Sequence, residues 1–495
     1  MNHPVDIRRL KTGVPGLDEV LGGGLPEFSF NLIAGPPGSG KTTLAHQLMF
    51  ALATQQRPAL FFSVLGEPPL KMLRYQQQFS FFNLDQINGA IRMVNLSDEV
   101  ATDDFEQVLA RITHEVEASS PALVFIDSFR AAMLEAGHRP QAKVSLQQFV
   151  QQLGVKLSGW QATTFLVGEY SAENHDHPIF TVADGLLSLQ QSVHRNSMVR
   201  TIQILKMRGQ ATSPGVHTFR ISSAGIQVFP SAVVRDDSGA ASADTPPRNH
   251  ARLSLGVPEL DAMMGGGLPA GYSLLVAGPS GSGKTVLATT FLEQGARQGE
   301  AGVMVAFEQT PSQSMTRTIN NLVKAGHVGL INTRVLDLSI DEIVHQLITM
   351  IGEKGAKRVV IDSLSGFELA VAPTFREDFR ESLFRMVAAL SGLGVSVLMT
   401  SELEDRYTDL RFSPYGSAFL TDAIIVQRYI EVESSFKRVM AVVKLRGSAH
   451  SNQIREYEIN EAGITISAPV LAYRGLLSGR PTAIDESTVM DAAKQ

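Results

Sequence analysis

At 495 residues the chain exceeds one ordinary hydrophobic core, and domains of about 150–250 residues make it two or more. It contains no cysteine, which excludes disulfides, thiolate zinc sites and cysteine nucleophiles. A formal charge of -6 gives no global attraction to nucleic acid or anionic lipid, and no apolar run approaches the roughly 20 residues that cross a bilayer. The opening MNHPVDIRRL lacks the apolar core of a signal peptide, so a cytoplasmic protein without membrane contact is expected.

The first element along the chain is RLKTGVPGLDEVLGGGLP at Arg9. A short apolar run over 30–34 predicts a buried strand, and the loop GPPGSGKT follows from Gly35. Helical character over 42–53 comes next, then strand-like runs over 59–64, 122–126 and 164–167. Alternating segments over 200–205 and 216–221 read as antiparallel strands added at the sheet edge. The stretch 231–250, SAVVRDDSGAASADTPPRNH, is rich in Ala, Ser, Asp and Pro without apolar period and reads as a linker.

The whole pattern then repeats. RLSLGVPELDAMMGGGLP begins at Arg252, 243 residues after Arg9, and GPSGSGKT opens at Gly278 with the same offset from Gly35. The second strand set falls over 273–277, 303–307, 358–361 and 395–399, closing with 438–443 and 454–459. A period this long is a domain duplication, not a solenoid. The expected plan is a first domain over 1–230, a linker over 231–250, a second domain over 251–482 and a short tail over 483–495. Short β-branched strands between helices make each domain α/β, with a mostly parallel sheet flanked by helices and antiparallel edge strands.

GxxxxGK[ST] between a strand and a helix is a specific phosphate-binding signal: backbone N–H groups turn inward around the phosphates, the lysine reaches their oxygens, and the hydroxyl meets Mg²⁺. The first copy supplies Gly35, Gly38, Ser39, Gly40, Lys41, Thr42 and Thr43, and the second Gly278, Gly281, Ser282, Gly283, Lys284, Thr285 and Val286. Seen twice in the right context, these imply ATP and Mg²⁺ as cofactors. Asp127 in LVFIDS and Asp362 in RVVIDS end buried strands, where a carboxylate serves the metal shell alongside Thr42 and Thr285, or caps the following helix. Hydrolysis needs a carboxylate to orient the attacking oxygen. Candidates are Glu67 in GEPP and Glu308 in EQTP. Aligning the prolines places Glu308 opposite Gly66 and Glu67 opposite Gln309, so unequal sites are expected. Lys206-Met207-Arg208-Gly209 and Lys444-Leu445-Arg446-Gly447 repeat at a strand end and suit cations that stabilise phosphoryl-transfer charge on a neighbouring subunit.

With GVPGLDEVLGGGLP, both loops, FEQTP, both IDS strands, LKMRG, KLRGSAH and LLSGRPT in place, the chain resembles the KaiC-like family of tandem RecA-like ATPases and autokinases. The resemblance spans about 10–482. It implies a homo-hexameric double ring with ATP between subunits, Glu308 as the base, and Lys206, Arg208, Lys444 and Arg446 reaching the neighbouring ATP. It also implies a KaiB-like protein partner. Two departures stand out. The clock members' adjacent Ser-Thr acceptors fall on Ala418 and Phe419, since Asp184 and Asp422 precede Lys206 and Lys444 by the same 22 residues; this leaves Ser417 and Thr421 as nearby hydroxyls. Only 483–495 follow the SGRPT segment, which argues against a KaiA-like partner. Phe28 stands where the second copy has Gly271, which should reshape the entry to the first phosphate-loop strand. Two other classes stay open: a DNA-associated RecA-type ATPase, which the acidic charge disfavours, and an assembly scaffold with little turnover.

Overall fold

The computed structural model describes residues 7–63, 69–87, 89–96, 105–127, 151–156, 159–170, 178–194, 197–231, 251–307, 313–332, 339–371, 375–376, 379–403, 420–460, 463–471, 473–478 and 481–483. The chain divides into two compact units, Met1–Ser231 and Ala232–Gln495. Most of the expected linker, 232–250, lies outside the described residues.

The first unit is built from β1 (Phe30–Ala34), α1 (Lys41–Leu52), β2 (Ala59–Ser63), β3 (Ile91–Asn95), α2 (Phe105–Ser119), β4 (Leu123–Asp127), β5 (Thr163–Gly168), β6 (Gly185–His194), β7 (Ser197–Met207), β8 (His217–Ser222) and β9 (Gly225–Phe229). Its nine-stranded sheet has the order β9-β8-β7-β6-β1-β5-β4-β2-β3. The six strands from β6 to β3 pair in parallel, and β7, β8 and β9 add antiparallel. Both faces are covered, which is why the strands are apolar throughout instead of alternating. Leu32 and Ala34 of β1 point into the layer that holds Val108, Ile112 and Val116 of α2, while Ile33 points to Leu44, Leu48 and Met49 of α1.

The second unit repeats the plan with β10 (Ser273–Gly278), α3 (Lys284–Arg297), β11 (Gly302–Ala306), β12 (Val328–Asn332), α4 (Ile340–Lys354), β13 (Arg358–Asp362), α5 (Phe379–Gly392), β14 (Ser396–Glu402), β15 (Ala423–Val432), β16 (Ser435–Leu445), β17 (Arg455–Asn460) and β18 (Gly463–Pro469). The order β12-β11-β13-β14-β10-β15-β16-β17-β18 is that of the first sheet. The expected fold class is borne out, antiparallel edge strands included. The repeated opening motif has a local cause: Asp18 accepts from the Thr12 amide at 2.9 Å and its hydroxyl at 2.8 Å, and Asp261 accepts from the Leu255 amide at 2.8 Å and the Ser254 hydroxyl at 2.5 Å. Among the described residues no helix is long and apolar enough to cross a membrane.

Phe28 and Gly271 share a left-handed backbone, with φ of 62° and 81°. Glycine takes that conformation freely, whereas a phenylalanine is strained there. The Phe28 ring is exposed, and its amide donates to Thr163 Oγ1 at 2.9 Å, as the Gly271 amide donates to Ser396 Oγ at 2.8 Å.

Candidate functional site

Each site begins where a central strand hands over to a helix. Gly40 and Gly283 immediately precede α1 and α3 with φ of 98° and 97°. A Cβ there would meet Ile221 Cδ1 at 2.9 Å or Ile459 Cδ1 at 2.5 Å, so backbone alone fits between the loop and the closing strands. The loop therefore presents N–H groups at a helix N-terminus, an arrangement suited to an anion. The lysines fold over their own loops: Lys41 Nζ donates to Pro36 O at 2.8 Å, and Lys284 Nζ to Gly278 O at 2.9 Å and Pro279 O at 2.8 Å. An ammonium already held above a cradle of amides fits a polyphosphate.

The metal-side carboxylates end the strand two places from the loop strand. Asp127 and Asp362 are both buried, paired in register with Ser63 and Ala306. In the second unit the connection to the loop is direct: Thr285 Oγ1 donates to Asp362 Oδ2 at 2.8 Å, and Thr400 Oγ1 donates to Asp362 Oδ1. A threonine that spends its hydrogen on a buried carboxylate keeps its lone pairs for a cation, so the residues fit Mg²⁺.

The two loops are held from behind by different chemistry. Ser282 Oγ donates to Gln427 Oε1 at 3.0 Å, and Tyr457 OH donates to Ser282 O at 2.5 Å. Burial pushes the Tyr457 phenol well above its usual range, so it remains a donor. In the first unit Leu189 and Phe219 occupy the matching register positions, and buried Ser39 Oγ has no partner among the described residues.

The Lys-x-Arg pairs end β7 and β16. Lys206 Nζ donates to the Phe180 and Thr181 carbonyls at 3.1 and 3.2 Å, and Lys444 Nζ to Thr421 O at 2.6 Å. Arg208 pairs with Asp184 at 3.1 Å, and Arg446 with Asp422 at 3.3 Å. Both lysines have lowered pKa values, first through desolvation and then through the adjacent arginine, with the aspartate opposing. Two crowded cations of this kind gain from an added anion. The aspartates also fasten the sheet: Asp184 Oδ2 accepts from the Phe30 amide, and Asp422 Oδ2 from the Ser273 amide, each at 3.0 Å.

Three candidate residues, Glu67, Glu308 and Ser417, lie outside the described residues, as do Ala418 and Phe419. The strand register that leads toward Glu67 and Glu308 is shared by the two units. Ser63 and Ala306 are equivalent because they pair with Asp127 and Asp362. Thr421 is wholly enclosed, its hydroxyl without a partner among the described residues, which weighs against it as a phosphoacceptor.

Sequence reasoning missed Thr400, Gln427 and Tyr457, and also a carboxylate pair. Glu402 ends β14 in register with Gly278, and Glu169 holds the matching place one residue past β5. The signal was available: FLVGE and VLMTSE fall at equivalent places in the two copies.

A phosphate loop, a helix N-terminus, a lysine and a strand-end aspartate, assembled twice on RecA-like sheets, define a tandem P-loop ATPase. A family model described as "ATPase: KaiC" matches residues 10–233 and 253–470, and the chain belongs to that family. It is 28% identical to the circadian clock oscillator protein KaiC of Rippkaea orientalis, over 98% of this chain and 93% of the relative. It is 27% identical to the protein of that name from Picosynechococcus, over 97% and 94% of the two chains. The circadian clock protein KaiC3 of Synechocystis is 27% identical, over 98% of this chain and 96% of the relative.

Proposed function

We propose that the protein is a KaiC-like ring ATPase that binds Mg-ATP in both domains and uses hydrolysis to switch its conformation or its protein partner. The observation that carries this is the duplication of the whole site: loop lysine, buried aspartate and Lys-x-Arg pair recur in both units. Lys41 and Lys284 hold phosphate, and Thr42 with Asp127 and Thr285 with Asp362 would hold Mg²⁺, which when bound neutralises phosphate charge. Glu308 orients the attacking water in the second domain, with Glu67 a weaker counterpart in the first. Lys206, Arg208, Lys444 and Arg446 serve ATP on the adjacent subunit of a homo-hexamer, a reading their crowded, partly desolvated charges support. A KaiB-like protein is the partner class this reading names. Autophosphorylation rests on Ser417, since Thr421 is enclosed.

The test is steady-state ATP turnover of the full chain and of Lys41→Ala and Lys284→Ala, with and without single-stranded DNA. Turnover that falls most in Lys284→Ala and ignores DNA is expected. Strong DNA stimulation would favour a nucleic-acid motor. ATP binding without turnover would favour an assembly scaffold, a reading that Gly66, opposite Glu308 when the prolines are aligned, supports for the first domain.

A further inference from the structure

We infer that Thr400 is a positioning residue for the cation of the second site, at a place where the first site has valine. The inference rests on Thr285 and Asp362 being the metal-facing pair. It starts from a cross-strand juxtaposition. Ile361 on β13 pairs with Met399 on β14, so the next residues, Asp362 and Thr400, stand side by side at the C-terminal end of the sheet. Both are enclosed, Asp362 at 2% and Thr400 at 0% exposure. Thr400 Oγ1 donates to Asp362 Oδ1, and Thr285 Oγ1 donates to Asp362 Oδ2 at 2.8 Å.

The three groups form a directed chain. A hydroxyl bonded to an ionised carboxylate in a buried place is among the stronger neutral-to-charged hydrogen bonds. The Thr400 bond fixes one carboxylate oxygen, which sets the plane of the group and aims the other at Thr285. Thr285 then has one orientation for its hydrogen, and its lone pairs face the space below the phosphate loop. Without Thr400 the carboxylate would turn about its last side-chain torsion, which is broad, and the hydroxyl would follow it. Groups that orient metal ligands in this way typically contribute about 10–100-fold in metal affinity.

The first unit has no hydroxyl at this place. Ile33 on β1 pairs with Val167 on β5, as Val276 on β10 pairs with Thr400 on β14. Val167 is the matching residue, nearly the shape of threonine but without its oxygen, and it packs into the apolar layer under α1. At this place the second site offers its metal carboxylate a hydroxyl and the first a methyl group.

The experiment is equilibrium binding of a fluorescent ADP to the full chain carrying Lys41→Ala, so that the second site alone reports, titrated with Mg²⁺ from an EDTA baseline. Three versions are compared: Thr400, Thr400→Val and Thr400→Ser. The valine change should raise the Mg²⁺ concentration for half-maximal tightening by about 10–100-fold, leave binding in EDTA unchanged, and be rescued by serine. Equal Mg²⁺ dependence in the Thr400 and Val versions overturns the inference alone. Loss of binding in EDTA by the Val version, or failure of serine to rescue, shows a structural role and also overturns it. Nucleotide binding that ignores Mg²⁺ even with Thr400 present would overturn the metal-facing reading itself.

Discussion

His46 should make the first domain lose stability in mild acid, and replacing it should remove that sensitivity. It lies on α1, the helix that carries the first phosphate loop, fully enclosed and stacked on Phe61 with ring centroids 4.8 Å apart. Neither ring nitrogen has a hydrogen-bond partner among the described residues. Burial pushes its pKa down from 6.5 to about 4, because nothing nearby compensates the desolvation of an imidazolium. In the unfolded chain the ring takes a proton near pH 6.5; in the folded domain it does not until about pH 4. Folding stability from this group is thus fully present above pH 6.5 and falls as pH drops toward 4, where the loss levels off. At 1.36 kcal/mol per unit the loss totals about 3 kcal/mol, a large part of a typical 5–15 kcal/mol domain. The assay is urea denaturation at pH 7.5 to 4.0, comparing the native chain with His46→Leu. The chain has a single tryptophan, Trp160, packed against the core of the first unit, so its fluorescence reports that unit. The leucine chain should lack the extra loss, so the gap between the two should widen by about 3 kcal/mol from pH 7 to pH 4. Curves that run parallel across that range would refute the argument.

Glu308→Gln should lower ATP turnover by about 10²–10⁴-fold in the second domain, and Glu67→Gln should cost less; a larger effect from Glu67, read by phosphate release, would reverse the assignment. Light scattering should show a hexamer at saturating ATP and a smaller species when Lys41 and Lys284 are both alanine, since bound nucleotide then no longer links subunits. Arg358→Leu should destabilise the second domain by about 3 kcal/mol, because Glu300, mostly buried and 2.8 Å away, would keep only Lys357 at 3.7 Å as a paired cation. Differential scanning calorimetry checks this, with a melting shift of about 2–4 °C expected per kcal/mol.

The sequence disclosed what depends on backbone pattern. The Gly-rich loops, the apolar strands and the 243-residue period report constraints that any occupant of this fold must meet, and all are local in the chain. The six-strand parallel order was less legible, because the parallel partners of β6 and β15 are β1 and β10, about 150 residues earlier in the chain. Arg358 shows the limit on the site side. From sequence it is the polar start of an apolar strand. In the fold it is fully buried, donating to Glu300, Gln298 and the carbonyls of Ser254 and Phe291. Its partners lie 58 to 104 residues away in sequence, so no window could reveal them.

The two units therefore share what makes a phosphate loop and differ in what holds it. Behind the second loop stand Gln427, Tyr457 and Thr400, each a donor or acceptor at a fixed distance from the site. Behind the first stand Leu189, Phe219 and Val167 at the same registers. Hydrogen bonds specify orientation, whereas apolar contacts specify only volume. The second loop is thus held in one geometry before nucleotide arrives, and less of the binding energy is spent on ordering it. The first loop is backed at the same registers by apolar side chains. A duplicated ATPase whose copies diverge in this layer, while the glycines, lysine and metal-side threonine of the loop stay the same, can respond to one pool of ATP in two different ways.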